Sequence, residues 1–203
     1  MPDVKHFDPD VALDRVVSLF WEHGADTTGV AEVVKATGLS RSSLYATFGG
    51  KGQLYAAALR RYLERQSRPV FDALAADERG LPAIAGFFER LVSARCTGEH
   101  ARWGCLVTNA HAAAGRELPE VQHVLAAHHG ALRSAMRAAL EAARRHGHLR
   151  SGLDTEASAE TLALLAYAVN LRSRSGAEAA ELLAGVRAVL DGFTDVTTTE
   201  ENR

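Results

Sequence analysis

A short run of this chain concentrates side chains suited to contacting a polyanion. Ser40-Arg41-Ser42-Ser43 follows the turn sequence Thr37-Gly38-Leu39 and leads into the apolar anchors Leu44 and Phe48. Ser40 offers an N-cap for a short helix running to about Thr47. Such a helix start presents free N–H groups and the positive end of the helix dipole, both favourable to phosphate. The three serines are small hydrogen-bonding groups that permit close approach. Arg41 can donate bidentately to guanine O6 and N7, or to a phosphate. Within residues 40–68, six basic residues (Arg41, Lys51, Arg60, Arg61, Arg65, Arg68) stand against Glu64 alone, whereas residues 1–39 hold three basic and seven acidic ones. In a chain of net charge −2, this local excess reads either as a footprint for a polyanion or as a solvated helix face.

The elements that must position this run are all helices. Proline is scarce, alternating strand patterns are absent, and alanine, leucine, arginine and glutamate dominate. Asp8 caps a first helix with Pro9 at its first position; Leu13, Val16, Val17 and Phe20 form its apolar stripe, and Gly24 ends it in a left-handed cap. Thr28 caps a short second helix that turns Val30, Val33 and Val34 inward and stops at Gly38. The short third helix follows from Ser40, Gly49-Gly50 breaks it, and a fourth starts near Lys51 with Tyr55, Ala58, Leu59 and Tyr62 on one face. Short helix, glycine turn, short helix is the helix-turn-helix plan, in which the second helix enters the DNA major groove.

Residues 28–51 resemble the N-terminal domain of TetR/AcrR-type transcriptional regulators. The recognition helix of that family ends in a Leu-Tyr-x-x-Phe pattern followed by lysine, and here Leu44-Tyr45-Ala46-Thr47-Phe48 precedes Lys51. The likeness spans about residues 8–66, and Gly104-Cys105-Leu106-Val107-Thr108-Asn109 is similar to a run found in part of the family. The resemblance implies that the hydroxyl of Tyr45 touches a phosphate and that Thr28 and Lys51 hold phosphates at two helix starts. It implies that Ser40, Arg41, Ser42 and Ser43 face the groove, with Leu44 and Phe48 in the core. Thr47 is a further candidate DNA contact, standing where many relatives carry a larger residue. A homodimer through the last two helices, a near-palindromic double-stranded DNA operator and a small-molecule effector are also implied.

Pro69 and the stretch 77–82 mark a junction to a second region, with helices expected near 82–96, 104–114, 119–146, 154–174 and 176–194. An effector pocket between helices there would draw on Phe87, Phe88, Leu91, Trp103, Cys105, Leu106, Asn109, His128, Met136, Tyr167 and Asn170. An amide such as Asn109 or Asn170 on an apolar helix needs a partner, supplied by a ligand or by a cross-helix bond. Cys105, at a helix start, is either a thiol of lowered pKa, open to electrophiles and oxidants, or a small buried hydrophobe. In the helix near 154–174, Leu162, Leu165, Ala166 and Val169 make one stripe and Thr161, Leu164 and Ala168 a second, as expected of a helix shared with a partner.

Composition excludes several classes. At 203 residues, 47% hydrophobic and 24% charged, the chain is globular rather than disordered, and no uninterrupted apolar run is long enough for a membrane span. An acidic start where a signal peptide would be basic, and two cysteines only, point to a reduced, cytoplasmic protein. Among the histidines, His123, His128 and His129 lack the i, i+4 spacing of a helical metal site and, with His146 and His148, read as surface or helix-end residues. No metal, no cofactor and no enzyme activity is expected, since nucleophile elbows and phosphate loops are missing. The expected fold is all-α: a three-helix helix-turn-helix DNA-binding domain (1–66), a helical ligand-binding and dimerisation domain (67–196), and a disordered tail (197–203). The expected function is a ligand-responsive transcriptional regulator, a repressor released from its operator. Two alternatives stand beside it: a helical protein-interaction module that uses the turn motif for a partner and would show no salt-dependent DNA binding, and a small helical enzyme, for which the sequence names no substrate.

Overall fold

A computed structural model describes residues 7–113 and 118–195. Helices α1 (Pro9–His23), α2 (Val30–Thr37), α3 (Arg41–Phe48) and α4 (Lys51–Tyr62) come first. A π-helical segment (Leu63–Ser67) then leads directly into α5 (Arg68–Ala75). Helices α6 (Leu81–Cys96), α7 (Leu106–Ala110), α8 (Pro119–Arg145), α9 (Thr155–Arg174) and α10 (Ala179–Asp191) complete the described fold. The tail expected at 197–203 lies outside the described residues.

Local sequence explains most of the boundaries. Asp8 Oδ1 accepts from Asp10 N at 2.8 Å, and Pro9 occupies a position where no N–H is needed. The first helix ends at Gly24 with φ 87° and ψ 145°, a positive φ but not the left-handed cap expected. Its most buried stripe is Ala12, Val16 and Phe20, with Leu13 and Val17 only partly covered. Helix α2 is capped by Gly29, not by Thr28: Gly29 N donates to Glu32 Oε2 at 2.6 Å, while the Thr28 hydroxyl turns back to Gly24 O at 2.7 Å.

The junction expected at Pro69 is helical. Proline lacks an N–H and crowds the carbonyl four residues back, which would break an ordinary helix. Here the turn before it widens, so that Arg68 N–H reaches Leu63 O, five residues back, and the chain passes Pro69 without a break. In place of an irregular linker, one helical path runs across residues 66–67. The helix expected over 104–114 shrinks to the single turn of α7 because residues 97–105 are committed to a loop around Trp103.

Two apolar cores form. One gathers α1–α4 with Cys105, α7 and the first turns of α8 (Val121, Val124, Leu125). The other gathers α5, α6, α9 and α10 around the rest of α8, from Leu132 onward. Helix α8, with 27 residues and a length of about 40 Å, therefore belongs to both.

The first helix is also clamped electrostatically to α4. Arg61 Nε and Nη2 hold the two oxygens of Asp14 at 2.8 and 3.1 Å, its Nη1 reaches Asp10 Oδ1 at 3.1 Å, and Arg65 Nη1 adds a bond to Asp14 at 2.9 Å. These bonds lower the Asp14 pKa below its ordinary 3.8, the Arg61 hydrogen bond contributing most. A carboxylate with depressed folded pKa stabilises above its unfolded pKa and loses that contribution as pH falls through the folded value. Asp14 is part-exposed, so screening keeps the effect near 1 kcal/mol. Asp14→Asn is expected to lower urea-unfolding stability by about 1 kcal/mol at pH 7, with the gap to wild type closing as pH falls below the ordinary 3.8 and through the lowered folded value; a gap that stays equal across that range would rule out the charge as its cause.

Candidate nucleic-acid interface and effector cavity

The glycine turn sets the angle between α2 and α3. Gly38 takes φ 74° and ψ 9°, the left-handed conformation that side chains disfavour, and its N–H closes α2 on Val34 O at 2.9 Å. Two residues later Ser40 Oγ accepts from Ser43 N at 3.1 Å and lies 2.9 Å from the hydroxyls of both Ser42 and Ser43. Removing such a cap costs about 1 kcal/mol. Leu44, 1% exposed, pins α3 to the core, and this turns Arg41 and Ser42 out to solvent with Ser43 half-buried. The Arg41 guanidinium lies 5.4 Å from the centre of the Tyr45 ring, a cation–π contact that holds both at one end of the helix.

Of the other residues singled out for DNA, Tyr45, Thr47 and Lys51 are half-buried, and Lys51 is the first residue of α4. Thr28 is 1% exposed with its hydroxyl committed to Gly24 O. The basic segment is thinner at the surface than its sequence suggests, because Arg61 is largely covered where it holds Asp14, while Arg65 bonds Asp14 from an exposed position.

A cavity of about 240 Å³ opens between the two cores. Six of the residues anticipated from sequence line it: Phe87, Leu91, Cys105, His128, Tyr167 and Asn170. Phe88 and Met136 do not reach it and are fully buried in the second core. Trp103 packs edge-on against Trp21 at 5.4 Å and His100 at 4.6 Å, while Leu106 is buried in the first core. Asn109 is turned the other way, donating Nδ2 to Trp103 O at 2.9 Å and leaving its buried Oδ1 without a partner among the described residues. Asn170 finds a cross-helix bond, accepting from Arg95 Nε at 2.7 Å and donating to Ala166 O at 2.8 Å.

Sequence reasoning missed the wall made by Gln66, Val70 and Phe71, since Pro69 was taken as a boundary, and it missed Tyr62, Arg90 and Arg95. The spacing of Phe87, Arg90, Leu91, Ala94 and Arg95 on α6 is the i, i+3, i+4, i+7, i+8 face that could have found the arginines.

His128 is not a surface residue: it is 3% exposed, with Nδ1 3.4 Å from the Tyr167 hydroxyl and its ring 5.2 Å from Phe71. Beside it, burial raises the Cys105 pKa, but the His128 imidazole, by hydrogen bonding and by charge, and the charge of Arg95 together overcome burial. The thiol falls from its ordinary 9.0 to about 6. The neighbouring imidazole, rather than a helix start, is the main cause. Cys96 and Cys105 are both free. Alkylation of Cys105 by iodoacetamide, followed by intact mass, should be half-maximal near pH 6 and shift up by at least one pH unit in His128→Ala. An unchanged profile in that variant would remove His128 as the activating group.

The described helices contain none long and apolar enough to cross a membrane. The model of the bacterial regulatory proteins of the tetR family matches residues 12–58, and that of the tetracyclin repressor-like C-terminal domain matches residues 80–189. The HTH-type transcriptional repressor ComR of Escherichia coli is 29% identical over 181 residues, covering 88% of this chain and 85% of that protein. YezE of Bacillus subtilis, an uncharacterized HTH-type transcriptional regulator, is 30% identical over 155 residues, covering 76% and 79%. Among solved structures, a cysteine mutant of the TetR-family regulator CifR complexed with 26-bp operator DNA superposes with a TM-score of 0.80 at 27% identity, covering 93% of this chain and 98% of that one. With its helix-turn-helix, its all-helical C-terminal region and these matches across nearly its whole length, the chain belongs to the TetR family of DNA-binding transcriptional regulators.

Proposed function

We propose that the protein is a homodimeric, cytoplasmic repressor whose operator binding is relieved by a small molecule in the cavity. The observation that carries the reading is the recognition helix. Leu44 anchors it, and its capped first turn presents Arg41 and Ser42 outward. In that role Arg41 and the serines Ser40, Ser42 and Ser43 face base edges or adjoining phosphates, while Tyr45 and Lys51 bind the backbone on either side. Residues 1–66 act as the DNA-binding unit and 67–196 as the effector-binding and dimerising unit. ComR is named as a repressor and CifR was captured on operator DNA, which supports the same action here.

A dimer is supported by the uncovered face of α9. Ala157, Thr161, Leu164, Ala168 and Leu171 are all exposed and recur at alternating four- and three-residue steps. Leu164 and Leu171 are 54% and 50% exposed, although they are large and apolar. A seam of that period is what one helix offers another in a bundle. On α10 the exposed Ala184, Gly185 and Ala188 leave room for such side chains from a partner. Two-fold pairing would set two recognition helices about one DNA turn apart on a near-palindromic site. Cavity occupation would favour a dimer geometry with a different spacing, and by linkage effector and operator would weaken each other equally.

Fluorescence anisotropy against DNA flanking the protein's own gene, with a scrambled duplex as competitor across a salt series, tests the DNA reading. Lys51→Ala should weaken binding to every duplex and reduce the salt slope by about 1. Tyr45→Phe should weaken it on all sequences with the slope kept. Arg41→Ala should cost about 1–3 kcal/mol at one operator position if it reads a base; an equal loss on all sequences would move it to the backbone. Absence of salt-dependent binding to either duplex would favour the interaction-module reading. Replacing Leu164 and Leu171 together by Glu should convert the dimer to monomer in sedimentation velocity and weaken operator binding at least tenfold; a dimer that persists would place the interface elsewhere.

A further inference from the structure

The cavity carries a charge pattern that its apolar walls do not require. Phe71, Phe87 and Leu132 supply hydrophobic surface, yet Arg90 and Arg95 of α6 line the same space, and no aspartate or glutamate lines it. Arg95 is the informative one. Its Nε donates to the Asn170 amide oxygen at 2.7 Å, its Nη2 to the Tyr62 hydroxyl at 3.2 Å, and its guanidinium lies 5.4 Å from the centre of the Trp21 ring. All three partners are neutral. Among the described residues neither Arg95 nor Arg90 forms an ion pair with a carboxylate, and Arg95 Nη1 donates no hydrogen bond to protein.

A guanidinium cannot escape burial by losing its proton. Half-buried among neutral groups, it raises the local potential and favours an incoming anion. Neutral hydrogen-bond acceptors position the fork, and Cys105 is the one lining group whose ionised form could answer its charge, a single thiolate beside two guanidinium groups. Arg90, more exposed and five residues before Arg95 on α6, adds a second positive charge to the lining, part of it shared with the Asp77 carboxylate. An oxyanion is the group whose geometry suits such donors best.

From this we infer that the cavity selects an amphiphilic carboxylate of modest size, its acid on Arg90 and Arg95 and its aromatic or aliphatic body between Phe71, Phe87 and Leu132. The inference rests on the reading above of this cavity as the effector site, and it adds the effector's chemical class. A neutral lipophile would leave the arginine charge unbalanced. A lipophilic cation would meet two guanidinium groups without a carboxylate to receive it.

Three probes of one skeleton test this on the full-length protein: 3-phenylpropanoate, 3-phenylpropan-1-ol and 3-phenylpropylamine, titrated by calorimetry at pH 7.5. The acid is expected to bind at least tenfold tighter than the alcohol, and the amine weakest. Arg95→Gln should reduce the acid-over-alcohol ratio at least threefold. Because that change also removes the contact to Trp21, Arg90→Gln, at an exposed position, is measured alongside and should reduce the ratio in the same direction. Acid and alcohol binding equally, a ratio untouched in both variants, or no binding by any of the three at millimolar concentration would each overturn the inference. So would capture of trans-cinnamaldehyde on Cys105 with no binding of the acid, which would make the cavity a thiol trap. Operator anisotropy is read in the same samples. An acid that binds with the expected preference but leaves operator affinity unchanged at saturation upholds the inference and overturns the effector reading instead.

Discussion

Trp21 fixes how the N-terminal helices sit on the rest of the chain. Its indole N–H donates to Gly104 O at 2.9 Å, its ring meets Tyr62 and Trp103 edge-on, and Arg95 covers it. Arg174, at the far end of α9, closes the joint by donating to Trp103 O at 2.7 Å and reaching Trp21 O at 3.4 Å. The joint depends on Gly104. With φ 68° the backbone folds back on itself, and a Cβ there would stand 3.0 Å from Asn109 Oδ1 and 3.1 Å from Asn170 O. Truncating a buried tryptophan costs roughly 3–5 kcal/mol, a large share of the roughly 5–15 kcal/mol that holds a domain folded. The N-terminal helices are therefore docked on the rest of the chain through this aromatic side chain and glycine together with the apolar contact of α7 and the first turns of α8, whereas the clamp of Arg61 on Asp14 holds α1 to α4 within the N-terminal unit.

The cavity lies where that joint meets α8. Tyr62 and Cys105 come from the first core, Phe71, Phe87 and Leu132 from the second, and His128 sits on α8 between Leu125 and Leu132. A molecule lodged between two close-packed cores cannot be accommodated by one of them alone. Packed interiors move in discrete steps rather than stretching. The same α8 that carries His128 into the cavity carries Val121, Val124 and Leu125 under α1–α4. The π-helical segment adds a second path, since Gln66 and Ser67 line the cavity on a helix that begins at Lys51. Any bias an effector exerts is bounded by its differential affinity for the two arrangements.

What sequence made legible divides by range. The helix-turn-helix is local chemistry: Asp8, Ser40 and the left-handed Gly38 each act within four residues, and their types and spacing announce them. Even there, Thr28 was mistaken for a cap because a threonine before a helix suits that role, while Gly29 with Glu32 fills it. The cavity is long-range chemistry. Nothing near Arg95 in the chain says that it meets Trp21, Tyr62 and Asn170, which lie 74, 33 and 75 positions away. Charged residues on a helix are read as solvated by default, and Pro69 hid the wall formed by Val70 and Phe71. Aromatic and amide residues on the later helices were legible as candidates, but the side of each helix that faces the cavity was not. Hence Phe87 and its neighbour Phe88 part company, as do Asn170 and Asn109.

The distribution of charge bears on how the proposed recognition helix would hold DNA. Phosphate contacts supply most of a DNA-binding protein's affinity through release of counterions. Of the six cations in residues 40–68, Arg61 is turned inward to Asp14 and Arg65 pairs with the same carboxylate from the surface, and the acidic side chains of α1 lie on the same small domain. Little beyond Arg41 and Lys51 remains near the recognition helix. In the proposed dimer a second copy held at the right distance would offset this, because linking two sites multiplies their affinities. The proposed seam on α9 and α10 is then as much a part of the DNA site as Arg41. Under that proposal a change in spacing between the heads would release the operator without unfolding either one, which a small cavity between two cores could bring about.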